Sequence, residues 1–79
     1  MPSCEESAAA NLRQAIRDAN GHFVVEWIEL GVEGYFVLFR NGSVVHRERQ
    51  IDVAVLEDGP EPDAIRTLVH KVKAVFGQT

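Results

Sequence analysis

GYFVLFRNGSVVHRERQ, residues 34–50, sets two runs rich in β-branched and aromatic side chains on either side of Asn41-Gly42. That arrangement signals a β-hairpin, because a type I′ turn needs positive φ at both central residues and these two types tolerate it. A turn centred on them predicts the pairs Phe39 with Val44, Leu38 with Val45, Val37 with His46 and Phe36 with Arg47. The first arm, Tyr35 to Phe39, is apolar at every position, so both sides of its pleat need cover. The rest of the chain must supply it.

Upstream, HFVVEWIEL (residues 22–30) joins the hairpin through Gly31-Val32-Glu33-Gly34 and makes an antiparallel meander. If Leu30 and Tyr35 close that loop, Ile28 faces Val37, Trp27 faces Leu38, Glu29 faces Phe36 and Val25 faces Arg40. One surface then carries Val24, Ile28, Leu30, Tyr35, Val37, Phe39 and Val44, with Glu26, His46 and Glu48 toward its margins. The other carries Phe23, Val25, Trp27, Phe36, Leu38 and Val45, interrupted by Glu29, Arg40, Arg47 and Arg49. The 31–34 loop is the weak link, since a one-residue slip there turns the whole first strand over. Residues 51–57, IDVAVLE, alternate in polarity and predict a short fourth strand or extended edge, with a bend or bulge in HRERQ before it.

Helices bracket the strands. Ser3 and Glu6 fit a capping box, Ala8, Leu12, Ala15, Ile16 and Ala19 recur at helical spacing, and Asn20-Gly21 supplies a left-handed stop. These predict a helix over about residues 4–20. Its alanines give it a thin apolar face. After EDGPEPDA, with Pro60 or Pro62 in the first turn, the stripe Ile65, Leu68, Val69, Val72, Val75 and Phe76 predicts a second helix ending at Gly77. Lys71 and Lys73 near its end suit the helix dipole. The expected fold is α+β: an antiparallel sheet of three to four strands flanked by an N-terminal and a C-terminal helix, in one domain spanning residues 1–79. Two arrangements are open. Both helices cover one face and leave Trp27, Phe36 and Leu38 bare, or one helix packs on each side.

Seventy-nine residues, 46% hydrophobic and 25% charged, fit a globular chain that is too short for two domains. Cys4 is the only cysteine, so no internal disulfide forms, and with His22, His46 and His70 scattered there is no metal-ligand spacing. No cofactor motif occurs. No apolar run approaches the roughly 18 residues of a membrane span, and Met1 to Glu6 is acidic, unlike a signal peptide. A cytoplasmic location is the simplest expectation.

Chemistry has little to stand on. Cys4 has no histidine near it in sequence to act as its base, and Glu26 and Glu29 fall on opposite sides of the expected sheet, which spoils them as an acid/base pair. The expectation is a chain that is not an enzyme. A net charge of -4 opposes a phosphate-backbone binder. The order helix, three strands, helix is that of double-stranded-RNA-binding domains. Those domains, however, open their last helix with lysines, where this chain has Gly59-Pro60-Glu61-Pro62-Asp63-Ala64-Ile65-Arg66. Arg40, Arg47 and Arg49 make a small basic spot, with Glu29 and Glu48 as candidate partners. Acidic blocks stand at Glu26, Glu29 and Glu33 and at Glu57, Asp58, Glu61 and Asp63, able to steer a basic partner or merely to solvate turns and a helix start.

Tryptophan and arginine around a small apolar centre are what protein interfaces favour. Glu26, Trp27, Glu29, Glu33, Phe36, Arg40 and Arg47 are therefore the candidate protein-binding residues. In general character, a compact, acidic, cysteine-poor α+β chain resembles the small inhibitors of phages and mobile elements, anti-CRISPR proteins in particular. These share no common motif, so no residue role is carried over. The resemblance implies a non-enzymatic inhibitor or adaptor that binds a Cas protein or effector complex, acidic residues meeting surfaces that normally hold nucleic acid. The alternatives are a homodimeric structural or regulatory domain whose sheet faces pair, and a double-stranded nucleic-acid binder.

Overall fold

The structure is a computed structural model that describes residues 4–57 and 63–77. The order is α1 (Cys4–Asp18), β1 (Val24–Gly31), β2 (Gly34–Asn41), β3 (Val44–Ile51), α2 (Val53–Glu57) and α3 (Asp63–Gly77). The strands form one antiparallel sheet in the order β1-β2-β3. The α+β architecture expected from the sequence is present, with three strands and an added short helix. The capping box at Ser3, together with Pro60, Pro62, Asp58 and Glu61, lies outside the described residues.

Helix α1 stops as Asn20-Gly21 promised. Asn20 takes φ 55°, its amide bonds the Arg17 carbonyl, and the Gly21 amide reaches back to Ile16 at 2.9 Å. That double bond pattern is a Schellman motif, which satisfies carbonyls the helix end leaves open.

The hairpin turn is set one residue later than the Asn-Gly signal implies. Asn41 pairs with Val44, so Gly42 and Ser43 are the central residues, and only Gly42 has positive φ, 63°. This is the pattern of a type II′ turn, which needs glycine at its first central position alone. The pairs predicted across the turn therefore move by two: Phe39 lies opposite His46, Leu38 opposite Arg47 and Val37 opposite Glu48. A shift of two keeps every side chain on its expected face, because the pleat repeats every two residues.

The 31–34 loop holds, with Leu30 opposite Tyr35. The slip comes instead at Glu26, where a bulge between Val25 and Trp27 puts Val25 opposite Phe39 and Val24 opposite Arg40. Val25 therefore does not face Arg40, and the faces reverse upstream of the bulge. Phe23 is buried and Val25 packs against the core, while Val24 turns outward. A second bulge, between the pairs Tyr35–Ile51 and Val37–Glu48, falls in the HRERQ stretch and places Gln50 at φ 58°.

The alternating IDVAVLE run is helical from Val53, not a fourth strand. Asp52 decides this: its Oδ1 accepts the Ala54 amide at 3.0 Å and its carbonyl accepts the Val55 amide, which makes it an N-cap. The turn buries Leu56 completely. Asn11 Nδ2 donates to the Leu56 carbonyl at 2.8 Å, filling a group that the short helix leaves without a partner.

Both long helices lie on one side of the sheet. Leu12 and Ile16 of α1, Leu56 of α2, and Ile65, Val69, Val72 and Phe76 of α3 close on Tyr35, Val37 and Phe39 in one cluster. Phe23 packs into it, edge-on to Phe39 at 5.7 Å and tilted against Phe76 at 5.2 Å. Lys73 caps the end of α1 instead of its own helix, donating to the Ala19 carbonyl at 2.7 Å. Lys71 reaches Glu48 at 3.3 Å.

The Tyr35 hydroxyl is buried and donates to Glu57 Oε2 at 2.6 Å. Burial first, and then the carboxylate beside it, push its pKa well above the ordinary tyrosine value. The folded state holds this proton, so its contribution is complete below about pH 10, where an unfolded tyrosine titrates, and is lost as the pH rises further. Tyr35 is the only tyrosine. Tyrosinate absorbance should therefore appear together with loss of helical circular dichroism above pH 10. Ionisation at pH 10 with the fold intact would contradict the Tyr35–Glu57 bond.

Candidate functional site

With the helices stacked behind it, the sheet's second face is open. Alternation along β2 turns Phe36, Leu38 and Arg40 to this side while Tyr35, Val37 and Phe39 are sealed. The register then lays out three rows across the strands. Glu29 lies opposite Phe36, with the Arg49 guanidinium 5.9 Å from the Phe36 ring centroid. Trp27, Leu38 and Arg47 make the second row, and Val24, Arg40 and Val45 the third. Trp27 is 56% exposed, Val24 60% and Val45 38%, and these flank the half-buried Phe36 and Leu38. Such a contiguous apolar patch on a small domain marks a contact surface more often than a scatter of single residues does.

Charge frames the patch, but not in the pairs that the sequence suggests. Arg40 grips Glu26 with two bonds, Nε to Oε1 at 2.7 Å and Nη2 to Oε2 at 2.9 Å. That pairing raises the Arg40 pKa and ties down the carboxylate that the bulge swings round. Glu26 is thus neither at the core margin nor opposite in face to Glu29, and Arg40 does not pair with Glu29. Glu48 lies under the sheet on the helical side, 2.8 Å from His46 Nε2 and in reach of Lys71. Its distance from the arginine spot follows from the pleat. Among the described residues Glu29 and Arg47 have no polar partner, and Arg49 meets only the Phe36 ring.

The open face ends in a concavity of about 560 Å³ beside the 31–34 loop, lined by Glu29, Val32, Phe36 and Arg49 among others. Glu33 closes its rim by accepting from Gln50 Nε2 at 2.6 Å. All seven predicted binding residues are thus gathered on this face or its rim. Val24, Val45 and Arg49 complete it, and Val24 was hidden from sequence reasoning by the bulge. Of the second acidic block, Glu57 accepts the Tyr35 hydroxyl, while Asp58 and Glu61 lie outside the described residues.

Other reactive groups stay apart. Cys4 is exposed at the start of α1, His22 is exposed between α1 and β1 and His70 on α3, and among the described residues no three His, Cys, Asp or Glu side chains gather as a metal would require. No helix among the described residues is long and apolar enough to cross a membrane. Comparisons with protein-family models, curated proteins and solved structures return no match to this chain.

Proposed function

We propose that this chain is a non-enzymatic protein-binding module, an inhibitor or adaptor of the cytoplasm, whose open sheet face is its docking surface. The observation that supports the reading is Trp27. The largest side chain of the molecule stands more than half in water on the open side of β1, in one row with Leu38 and Arg47, and desolvating an exposed tryptophan beside arginine and aliphatic groups is the usual core of a binding hot spot. The two sheet edges are poorer candidates. Each carries a bulge, at Glu26 or near Gln50, and bulges blunt an edge against strand addition.

A photo-crosslinking residue at position 27 or 45 should trap a protein in the native cell, whereas one at Thr67, exposed on α3, should trap none. Adducts from position 67 alone would overturn the reading. Trp27→Asp should abolish the adduct at position 45 while lowering stability by only about 1–2 kcal/mol, far less than a core substitution. The resemblance to anti-CRISPR proteins makes a Cas effector the first target to try. Expression of the wild type, and not of Trp27→Asp, should relieve CRISPR interference in a cell carrying the cognate system. The nucleic-acid alternative is weakened because Arg40 is neutralised by Glu26, and absence of salt-sensitive binding to duplex RNA or DNA would remove it.

A further inference from the structure

The open face is complementary to itself. Its β1 side presents Glu29 and Trp27 and its β3 side presents Arg49 and Arg47, each on the same level of the sheet. Consider two copies stacked face to face about a two-fold axis that lies between them and runs along β2. The operation carries β1 of one copy over β3 of the other and leaves every residue on its own level. Glu29 then meets Arg49 of the second copy, Trp27 meets its Arg47 and Val24 meets its Val45. Phe36 and Leu38, on the axis, each meet their own counterpart.

All but one of the contacts so formed are favourable in kind: two ion pairs, two cation–π contacts and an apolar centre. The single meeting of like charges, Arg40 on Arg40, is offset by the Glu26 that each copy already holds against it. An axis across the strands has no such merit. It sets Arg47 on Arg47, and it lays Glu29 and Arg49 over valines. Stacked sheets twist by about 30° from one another, a displacement at the corners that arginine side chains can span.

We propose that this face docks a second copy of the chain, in an isologous dimer with Glu29 over Arg49 and Trp27 over Arg47 of the other copy. The proposal rests on the docking-face reading above and names its occupant; an outside target would compete with the second copy for the same surface. Three strands of eight residues cover roughly 400 Å² at standard spacings. This is below the roughly 800 Å² per partner of a standard interface, which puts the dimer among weak, transient ones.

Sedimentation velocity from micromolar to millimolar concentration, with acrylamide quenching of Trp27, tests it. The wild type should dimerise with Trp27 becoming shielded. Glu29→Arg and Arg49→Glu should each weaken the dimer by about tenfold or more, since each puts like charges together. The double swap Glu29→Arg/Arg49→Glu restores the pair and should recover the wild-type constant to within about threefold. Both positions are exposed, and unchanged melting curves verify the fold. A double variant that stays monomeric overturns the proposed stacking, as does a dimer insensitive to both swaps. A wild type that is monomeric throughout overturns the dimer alone, while the crosslinks from positions 27 and 45 independently decide the docking face.

Discussion

Gly34→Ala is expected to cost roughly 3 kcal/mol or more, a large share of what a domain of this size has in hand. Gly34 sits at φ 130°, and a Cβ built on it would lie 2.5 Å from the Ile51 carbonyl oxygen. The φ alone costs a side-chain-bearing residue about 1–3 kcal/mol. The clash adds to this because the obstacle is backbone, held by the last pair of the β2–β3 ladder, and cannot rotate away. Relief would have to come from undoing the bulge at Gln50, which would detach Glu33 from its bond and disturb the concavity on the open face. Urea unfolding followed by circular dichroism should show a much lower midpoint with an unchanged slope. A midpoint equal to that of the wild type would mean that Gly34 and Ile51 do not meet.

Phe39→Ala should destabilise by about 3–5 kcal/mol, the usual cost of emptying a buried aromatic site. Phe39 is fully buried, and its removal takes away the ring against which Phe23 stands edge-on. Trp27→Ala deletes a larger side chain twelve residues away, yet it should cost a fraction of that, because the indole is more than half in water. The two variants together decide which face of the sheet is the core. Equal losses in thermal melts would show that Trp27 is covered, and the docking proposal would go with that result.

The difference between these two aromatics was only half legible in the sequence. Alternation along Tyr35-Phe36-Val37-Leu38-Phe39 separates the five residues into two sets, and that separation survives a turn placed one residue off because the register moved by two. The same alternation cannot say which set is covered by helices, since both are apolar. It was misleading at Val24 and Val25, where one extra residue at Glu26 reverses the faces. A bulge leaves no composition signal of its own; here it turns Phe23 and Val25 into the core and gives the displaced Glu26 carboxylate two hydrogen bonds from Arg40 on a different strand. IDVAVLE misled for a related reason. Its period-two pattern is also what a single helical turn with Leu56 inward and an aspartate cap can carry, and the choice depends on whether α1 is there to receive Leu56.

By itself, then, the sequence determined five of the six elements and their order: two long helices from their apolar stripes and a left-handed stop at Asn20-Gly21, three strands from β-rich runs cut by glycine turns. These are local choices, made by backbone torsions and side-chain periodicity within a few residues. Only the tertiary structure decided that α1 and α3 share one side of the sheet, that Glu26 belongs to Arg40, and that Trp27 faces water beside Leu38 and Arg47. Those outcomes depend on packing volume and on partners distant along the chain, which no short stretch of residues encodes.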